Sequence, residues 1–426
     1  MVQAHSRKAA RIVAVLIAAT CAAARADVAS DQPAAILVFP KVLVDITSPQ
    51  VAPPARIDTL IRVTNTNPHN AVFMHCVYID GTPLCKADAT KSCLSSPFTC
   101  PIPGDNCKVS CGEEDFDVYL TASQPVAWLA SRSAGQCAPG DMLPCFPEAS
   151  PNPSFGLLPP VPEDPFLGEL ECIEVDGSDK PVNQNDLKGE AEIIRSGPDT
   201  VDVESYNAIG FQAIAAPTGG PNTTTTLTLG PTCPAGIKNP ATLCMGPLDC
   251  GANGPCSACP DGVNCSAEYS ASPGVLILDH FTEGAIDPVS GFPITTDLTL
   301  VPSSRDFTGA SPSGILTLFF LVFNEFEQRL SVSARMSCLH EFKLSDIDAT
   351  GSPQNVVRAR SPIFGAGTLA TLTAQTRLQA VSDATHGNAL LGIAEEFRVG
   401  GGSAAVNLHF SGSRSQSDFI YLPPTP

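Results

Sequence analysis

Aromatic and basic residues are both scarce in this chain. Among 426 residues there are one tryptophan and five tyrosines, and 24 lysines and arginines stand against 43 aspartates and glutamates, for a net charge of −19. An acidic chain repels phosphate backbones, so we expect no binding of nucleic acid. The aromatic platforms expected of a sugar-binding cleft are also few.

Catalytic and cofactor motifs are missing as well. The sequence contains no G-x-S-x-G, S-x-x-K or P-loop signature and no H-x-x-H or H-E-x-x-H pair. The glycines at 400–402 are typical of a turn between strands. We therefore predict no catalytic residue, no cofactor and no metal site.

Long hydrophobic runs are absent after the N-terminus. The longest, Ile315–Phe323, has the length of a strand, so we predict no integral membrane segment in the mature chain. Residues 1–26 carry basic residues, a short apolar run and the triplet Ala24-Arg25-Ala26, which is the pattern of a signal peptide. Cleavage after Ala26 would remove four basic residues and no acid, which moves the net charge to −23. The alternative is a lipoprotein anchored through Cys21.

Sixteen cysteines follow the signal peptide, an even number that favours disulfides in an oxidising compartment. Nine lie up to Cys172 and seven from Cys233 onward. If all pair within the chain, at least one bridge must cross this interval and link the two halves. The candidates are Cys76, Cys85, Cys93, Cys100, Cys107, Cys111, Cys137, Cys145, Cys172, Cys233, Cys244, Cys250, Cys256, Cys259, Cys265 and Cys338.

Two alternative interpretations of the cysteines stay open. Cys76 and Cys338 lie in apolar strand patterns and could be buried free thiols. Cys256, Cys259 and Cys265 have a spacing used by zinc sites, although their Pro- and Gly-rich surroundings favour disulfide loops.

The 40 prolines and 33 glycines favour many turns and short strands over helices. Residues 71–80 are apolar on both faces, so we predict a strand that is central in its sheet or covered on both sides. Ser331–Phe342 and Ala404–Phe410 alternate with period two, and Val406, Leu408 and Phe410 are predicted to point inward.

We therefore predict an all-β fold of two or more antiparallel β-sandwich (Ig-like) units with two disulfide-rich loop insertions. The predicted organisation is a signal peptide at 1–26, a sandwich at 27–135 with an insert at 81–115, a β-rich middle region at 136–290 with a loop at 231–269, and a second sandwich at 291–426.

Two groups of polar residues suggest other chemistry. Asp176, Ser178, Asp179, Asn183, Asn185 and Asp186 form an oxygen-rich stretch of the kind that calcium prefers, although the EF-hand spacing is absent. Carboxylate pairs such as Glu169 with Glu171, and Glu325 with Glu327, are predicted to share a strand face. Solvated surface positions explain such pairs without catalysis.

Ten segments spread over nearly the whole mature chain resemble a family of exported bacterial proteins with no established activity. The resemblance implies export and a β-rich fold, and it implies no catalytic residues. The segments are 39–45, 58–66, 120–131, 166–176, 187–193, 206–211, 276–285, 298–302, 323–331 and 417–423.

The sequence thus predicts an exported structural or interaction protein, adhesion-like and without catalysis, secreted or at the cell surface. Its partner, a surface or extracellular one, is not identified, and the two Cys-rich loops are the predicted recognition surfaces. The alternatives are a secreted hydrolase or carbohydrate-active enzyme and a calcium-dependent adhesion module.

Overall fold

The fold is almost entirely β-structure, as predicted. In the computed structural model, the described part of the chain contains 24 strands, a 3-10 turn at Leu344–Asp346 and one short α-helix, α1, at Ala366–Leu369. No helix in this part is long and apolar enough to cross a membrane. The described residues are 32–46, 56–88, 93, 100, 102, 105, 107–109, 111–132, 158–197, 200–213, 226–230, 268–308, 315–347, 363–382, 387–398, 400–411, 416 and 418–423.

The strands are numbered in chain order. The first eleven are β1 Ile36–Val44, β2 Arg56–Asn65, β3 Val72–Asp80, β4 Pro83–Cys85, β5 Cys107–Val109, β6 Glu113–Leu120, β7 Pro125–Leu129, β8 Phe166–Val175, β9 Leu187–Ser196, β10 Val201–Asn207 and β11 Ile209–Phe211. The others are β12 Thr226–Gly230, β13 Tyr269–Ser270, β14 Leu276–Phe281, β15 Ile294–Pro302, β16 Arg305–Asp306, β17 Leu316–Asn324, β18 Arg329–Met336, β19 His340–Lys343, β20 Thr373–Ser382, β21 Leu390–Arg398, β22 Ser403–Asn407, β23 His409–Phe410 and β24 Asp418–Tyr421.

Two antiparallel sheets form the first sandwich. Sheet 1 has the strand order β11-β1-β8-β3-β6, and sheet 2 has the order β10-β9-β2-β7. Their facing sides enclose a core in which Trp128 of sheet 2 donates a 2.8 Å hydrogen bond to the hydroxyl of Tyr78 of sheet 1. This bond satisfies the indole N–H of a tryptophan that is buried among Phe116 and other apolar side chains.

Two further antiparallel sheets form the second sandwich. Sheet 3 has the order β18-β17-β20-β14-β23, and sheet 4 has the order β19-β15-β21-β22. Phe320, Phe342 and Phe364 meet edge to face between them, with ring centroids about 6 Å apart. Strands of the predicted middle region contribute to both sandwiches, since β8–β11 belong to the first and β14 to the second. The predicted domain boundaries remain predictions.

Sheet 1 is covered on both faces at β1 and β8, whereas the outer face of its edge strand β6 is exposed at Asp115 and Asp117. Its inner face packs on sheet 2, and apolar residues of sheets 4 and 5 join the same core from the other side. Sheet 5 is a small mixed sheet with the order β13-β12-β24-β16. Every residue of β1 and β8 is buried as a result. The prediction of a central strand over residues 71–80 is confirmed by β3, which lies between β8 and β6; its outer face is buried from Val77 onward and only partly buried at Phe73 and His75.

Two segments predicted as single strands are instead two strands in different sheets. The pattern over 331–342 breaks after Met336, where β18 of sheet 3 gives way to β19 of sheet 4. The pattern over 404–410 divides at Leu408 between β22 and β23. The chain changes sheet in the same way at Ala208, between β10 of sheet 2 and β11 of sheet 1. The inward position predicted for Val406 is wrong, because this side chain is 44% exposed.

Candidate functional site

Four disulfides staple the described residues. Cys111–Cys338 crosses the interval between Cys172 and Cys233, which confirms the bridge that cysteine parity predicts. Cys76–Cys172 joins the neighbouring strands β3 and β8 on the inner face of sheet 1. The alternative in which Cys76 and Cys338 are free thiols is therefore wrong.

The insert at 81–115 contains the other two bridges, Cys85–Cys100 and Cys93–Cys107, around the small hairpin of β4 and β5. Within the described residues, the one group of close metal-ligand atoms is formed by the sulfurs of Cys85, Cys93 and Cys100, all of which are in disulfides. The remaining eight candidates lie outside the described residues, as do residues 1–26 and almost all of the loop 231–269. These are Cys137, Cys145, Cys233, Cys244, Cys250, Cys256, Cys259 and Cys265.

A buried ion cluster, which we term the Lys41 cluster, joins the two sandwiches. Pro40 cannot donate to a β-ladder, and the pairing of β1 with β8 shifts register between Phe39 and Val42. The bulge directs Lys41 away from the first sandwich, where its ammonium contacts Glu395 of β21 and lies 3.2 Å from Glu341 of β19. Lys41 and Glu395 are both fully buried.

Arg195 at the end of β9 completes this cluster. Its guanidinium donates to Glu395 Oε1 at 2.8 Å and to Glu204 Oε1 of β10 at 3.0 Å. Burial opposes the charge of Lys41, but Glu341 and Glu395 outweigh it and raise the Lys41 pKa. Burial and the neighbouring Glu395 raise the pKa of Glu204 to about 7. The pKa of Glu204 thus lies near 7, while Glu341 and Glu395 compensate the charges of Lys41 and Arg195.

A second buried cluster, which we term the Arg305 cluster, lies under sheet 5. Arg305 of β16 contacts the carboxylate of Glu169 on β8 and donates to the carbonyl of Cys338 at 3.1 Å. Burial raises the pKa of Glu169 to about 7 and that of Glu171, where Glu169 adds repulsion, to about 8. The expectation that solvation explains this carboxylate pair is wrong, since both residues are buried.

Sequence reasoning missed both clusters. The available signals were Pro40-Lys41 inside an otherwise apolar strand and two glutamates in the apolar pattern of β8. A buried charge requires a partner, so these positions could have been flagged. Nothing in the local pattern identifies the partners, which come from distant strands.

The oxygen-rich stretch at 176–186 forms the turn between β8 and β9. Asp176 Oδ1 accepts from the backbone N–H groups of Ser178 and Lys180, as in an Asx turn. The amide of Asn185 exchanges hydrogen bonds with the backbone of Ala213, and Asp186 accepts from Asn67. These contacts account for the polar side chains as turn-forming groups, and calcium binding remains a hypothesis.

Glu325 and Glu327 do not share a strand face, because β17 ends at Asn324 and both follow in its turn. Glu325 instead lines a groove of about 550 Å³ together with Asp279, His280 and Glu396. Hydrogen bonds from the backbone and hydroxyl of Thr373 lower the Glu325 pKa, whereas burial raises that of Glu396. Two carboxyls whose pKa values shift in opposite directions therefore line the same groove.

Two histidines, His75 and His340, lie within two residues of a bridged cysteine and serve ion pairing and packing. His75 lies 2.8 Å from Asp117 across β3 and β6. The ring of His340 packs at a tilt against that of Phe342, with centroids 4.1 Å apart, and burial lowers the His340 pKa to about 4. A metal site that combines His340 with Cys338 is excluded by the disulfide of Cys338.

The outer face of sheet 3 is open and carries aromatic and arginine side chains. Phe319 is 47% exposed at the centre of β17, and Arg377 of β20 lies 5.3 Å above the ring of Phe323. Arg329 and Arg335 are exposed on the adjoining edge strand β18. Aromatic residues and arginine are enriched in protein interfaces, so this face is a candidate interaction surface.

No protein-family model matches this chain, and no curated protein matches it either. Its function therefore has to be inferred from these surfaces and clusters.

Proposed function

We propose that this chain is an exported, disulfide-stapled structural or interaction protein of the cell surface, adhesion-like and without catalysis. In this proposal the two sandwiches are Ig-like units that form one scaffold, and the Cys-rich loops present the recognition surfaces. Multiple disulfides support an oxidising compartment, because cytosolic thiols are kept reduced.

The observation that carries the proposal is the Cys111–Cys338 bridge. It fixes the end of the first Cys-rich insert to the second sandwich, next to the Arg305 cluster. Three disulfides hold the described part of this insert, which therefore has little backbone freedom to lose on binding. Such preorganisation is an advantage in recognition and has no evident use in a passive linker.

The recognition role is tested by charge reversal on the insert. Lys86 and Lys108 are exposed beside the stapled hairpin, and neither is a cysteine needed for folding. We expect K86E/K108E to reduce binding of the labelled mature chain to the surface of the producing cells. The control is K188E, which reverses an exposed lysine on β9. Equal binding of all three proteins would contradict recognition by the insert.

Export is tested separately by mass mapping of the N-terminus and the disulfides in cell fractions. We expect a mature chain that begins at Asp27 and contains the Cys111–Cys338 peptide pair. A chain that keeps residues 1–26 and reduced cysteines in the cytosol would overturn export. A lipidated Cys21 would replace soluble secretion with membrane anchoring.

A hydrolase acting on glycans is the second candidate, and the groove favours it. Glycoside hydrolysis uses one carboxyl that stays protonated and another that stays ionised. Glu396, with its raised pKa, fits the acid, and Glu325, with its lowered pKa, fits the ionised partner.

Reducing-end release from a panel of bacterial and plant polysaccharides tests this candidate. We expect E396Q to abolish any release, while E327Q in the adjacent turn leaves it unchanged. Absence of release from the entire panel, or full activity in E396Q, would eliminate the hydrolase.

A further inference from the structure

Two long edge strands lack a described neighbour on one side. β6 ends sheet 1 and β18 ends sheet 3, and each is eight residues long. Within the described residues, β6 pairs with β3 alone and β18 with β17 alone. An open edge presents a row of backbone donors and acceptors that can pair with another strand.

The other edges are short or covered. β11, β19 and β23 have two to four residues. β10 and β22 lie beside each other, where Asn407 donates to the carbonyl of Asn207 at 2.7 Å and accepts from its backbone N–H. The edge of β7 is covered just after its end, where the carbonyl of Ala130 accepts a hydrogen bond from the backbone N–H of Val161. β6 and β18 are therefore exposed edges, whereas the other edges of the described sheets are short or covered.

The two open edges carry opposite charge. β6 reads EEDFDVYL, with four acids and no base, and β18 reads RLSVSARM, with two arginines and no acid. Like charges on each strand oppose the pairing of β6 with β6 and of β18 with β18. Opposite charges favour β6 against β18. The arginines of β18 are conspicuous in a chain whose net charge is −19.

The apolar rows of the two strands also match. Leu330, Val332 and Ala334 of β18 are only partly buried at the rim of the second core, and Phe116 of β6 is partly buried at the rim of the first. A strand added to either edge would complete the burial of these side chains. β6 begins and β18 ends beside the same disulfide. Cys111 precedes β6, Cys338 follows β18, and the Cα atoms of the two cysteines lie 5.9 Å apart.

We propose that two copies of this chain associate by β-strand addition, with the acidic edge β6 of one copy against the basic edge β18 of another. The contact joins two different surfaces, so repetition of it yields either a closed dimer that contains the contact twice or a chain of copies. This names a partner that the proposed function leaves open, and it can be tested without any assumption about export or cell binding.

Sedimentation velocity of the mature chain over a range of micromolar concentrations is the first measurement. We expect concentration-dependent association that weakens at least tenfold between about 0.05 M and about 0.5 M salt, since the contact is charged at its rim. A monomer at all concentrations would overturn the proposal, and so would association indifferent to salt.

Charge reversal supplies the decisive test. R329E/R335E should be monomeric because both of its edges are then acidic, and D115K/D117K should associate more weakly because its β6 edge, with two acids and two lysines, no longer carries a net charge opposite to β18. An equimolar mixture of the two variants should associate again, since the unaltered acidic β6 of R329E/R335E then meets the unaltered basic β18 of D115K/D117K. This rescue also proves that both variants are folded. R56E/K188E, which reverses two exposed charges on sheet 2, should associate like the unaltered chain. Failure of the mixture to associate would refute the pairing of these edges.

Discussion

The outer faces of sheets 1 and 3 differ although both sheets have five antiparallel strands. At β1 and β8 the outer face of sheet 1 is buried against sheets 4 and 5; it contains Glu169 and Glu171, and Lys41 leaves it at a bulge. The outer face of sheet 3 is open and contains Phe319 and Arg377. Polar residues are thus paired inside one interface, while a large aromatic residue stands in solvent on the other. Charge alone is a poor guide to exposure in this molecule.

The largest effect should come from Lys41 on the buried side. K41M leaves Glu395 and Glu341 without their shared cation, and we expect a loss of about 3–5 kcal/mol in the free energy of unfolding. The double variant K41M/E395M should lose less than K41M alone. Chemical denaturation measures both, with K188M as the exposed control. A stability of K41M equal to that of the control would remove the contrast between the two faces.

Removal of the covalent link should come next. C111S/C338S is expected to lower the free energy of unfolding by about 2–4 kcal/mol, because the unfolded chain regains the freedom that the bridge removes. Thermal unfolding of the purified protein under non-reducing conditions checks this. If the double variant melts at the temperature of the unaltered chain, the Lys41 and Arg305 clusters hold the sandwiches together without help.

The buried carboxyls on sheet 1 predict a dependence on pH. The pKa of Glu171 is raised to about 8 and that of Glu169 to about 7, so the folded state binds more protons than the unfolded state from about pH 4.5 to pH 8. Stability should therefore fall as the pH rises through this window. We expect E171Q to remove roughly 2–3 kcal/mol of that fall, whereas E327Q should leave it unchanged. Melting temperatures of the unaltered chain, E171Q and E327Q, measured at intervals from pH 5 to pH 8, test this expectation.

The smallest effect is expected on the open face. F319A should change stability by less than about 1 kcal/mol, because the side chain is 47% exposed. Its neighbour Phe320 points into the second core and is 1% exposed, so F320A should cost about 3–5 kcal/mol. Equal losses in the two variants would show that the outer face of sheet 3 is covered in the folded protein.

Much of the strand content could be predicted from alternation and turn residues, since both act locally. The central position of β3 and the bridge between the halves also followed, from two apolar faces and from the parity of the cysteines. The sheet switches at Ala208, Leu408 and after Met336 could not be predicted, because period two continues across them while the chain moves from one sheet to another.

The two buried clusters were hidden for a different reason. Whether Glu169 is solvated or buried depends on Arg305, and whether Lys41 is buried depends on Glu395. Arg305 and Glu395 lie far along the chain from Glu169 and Lys41, so no local sequence pattern pairs them. The groove with Glu325 and Glu396 likewise requires the turn after β17 and the strand β21 to be brought together.

Sheet 5 has a consequence for the order of events during biosynthesis. Its strand β24 pairs with β12 and β16, and Ile420 of β24 belongs to the core that includes β1 and β8. Ribosomes deliver β1 and β8 long before β24, so a nascent chain cannot shield the glutamates of β8 from water until nearly all of it has been made. The first sandwich therefore cannot reach its final state co-translationally, and truncation before Asp418 should leave it incompletely packed.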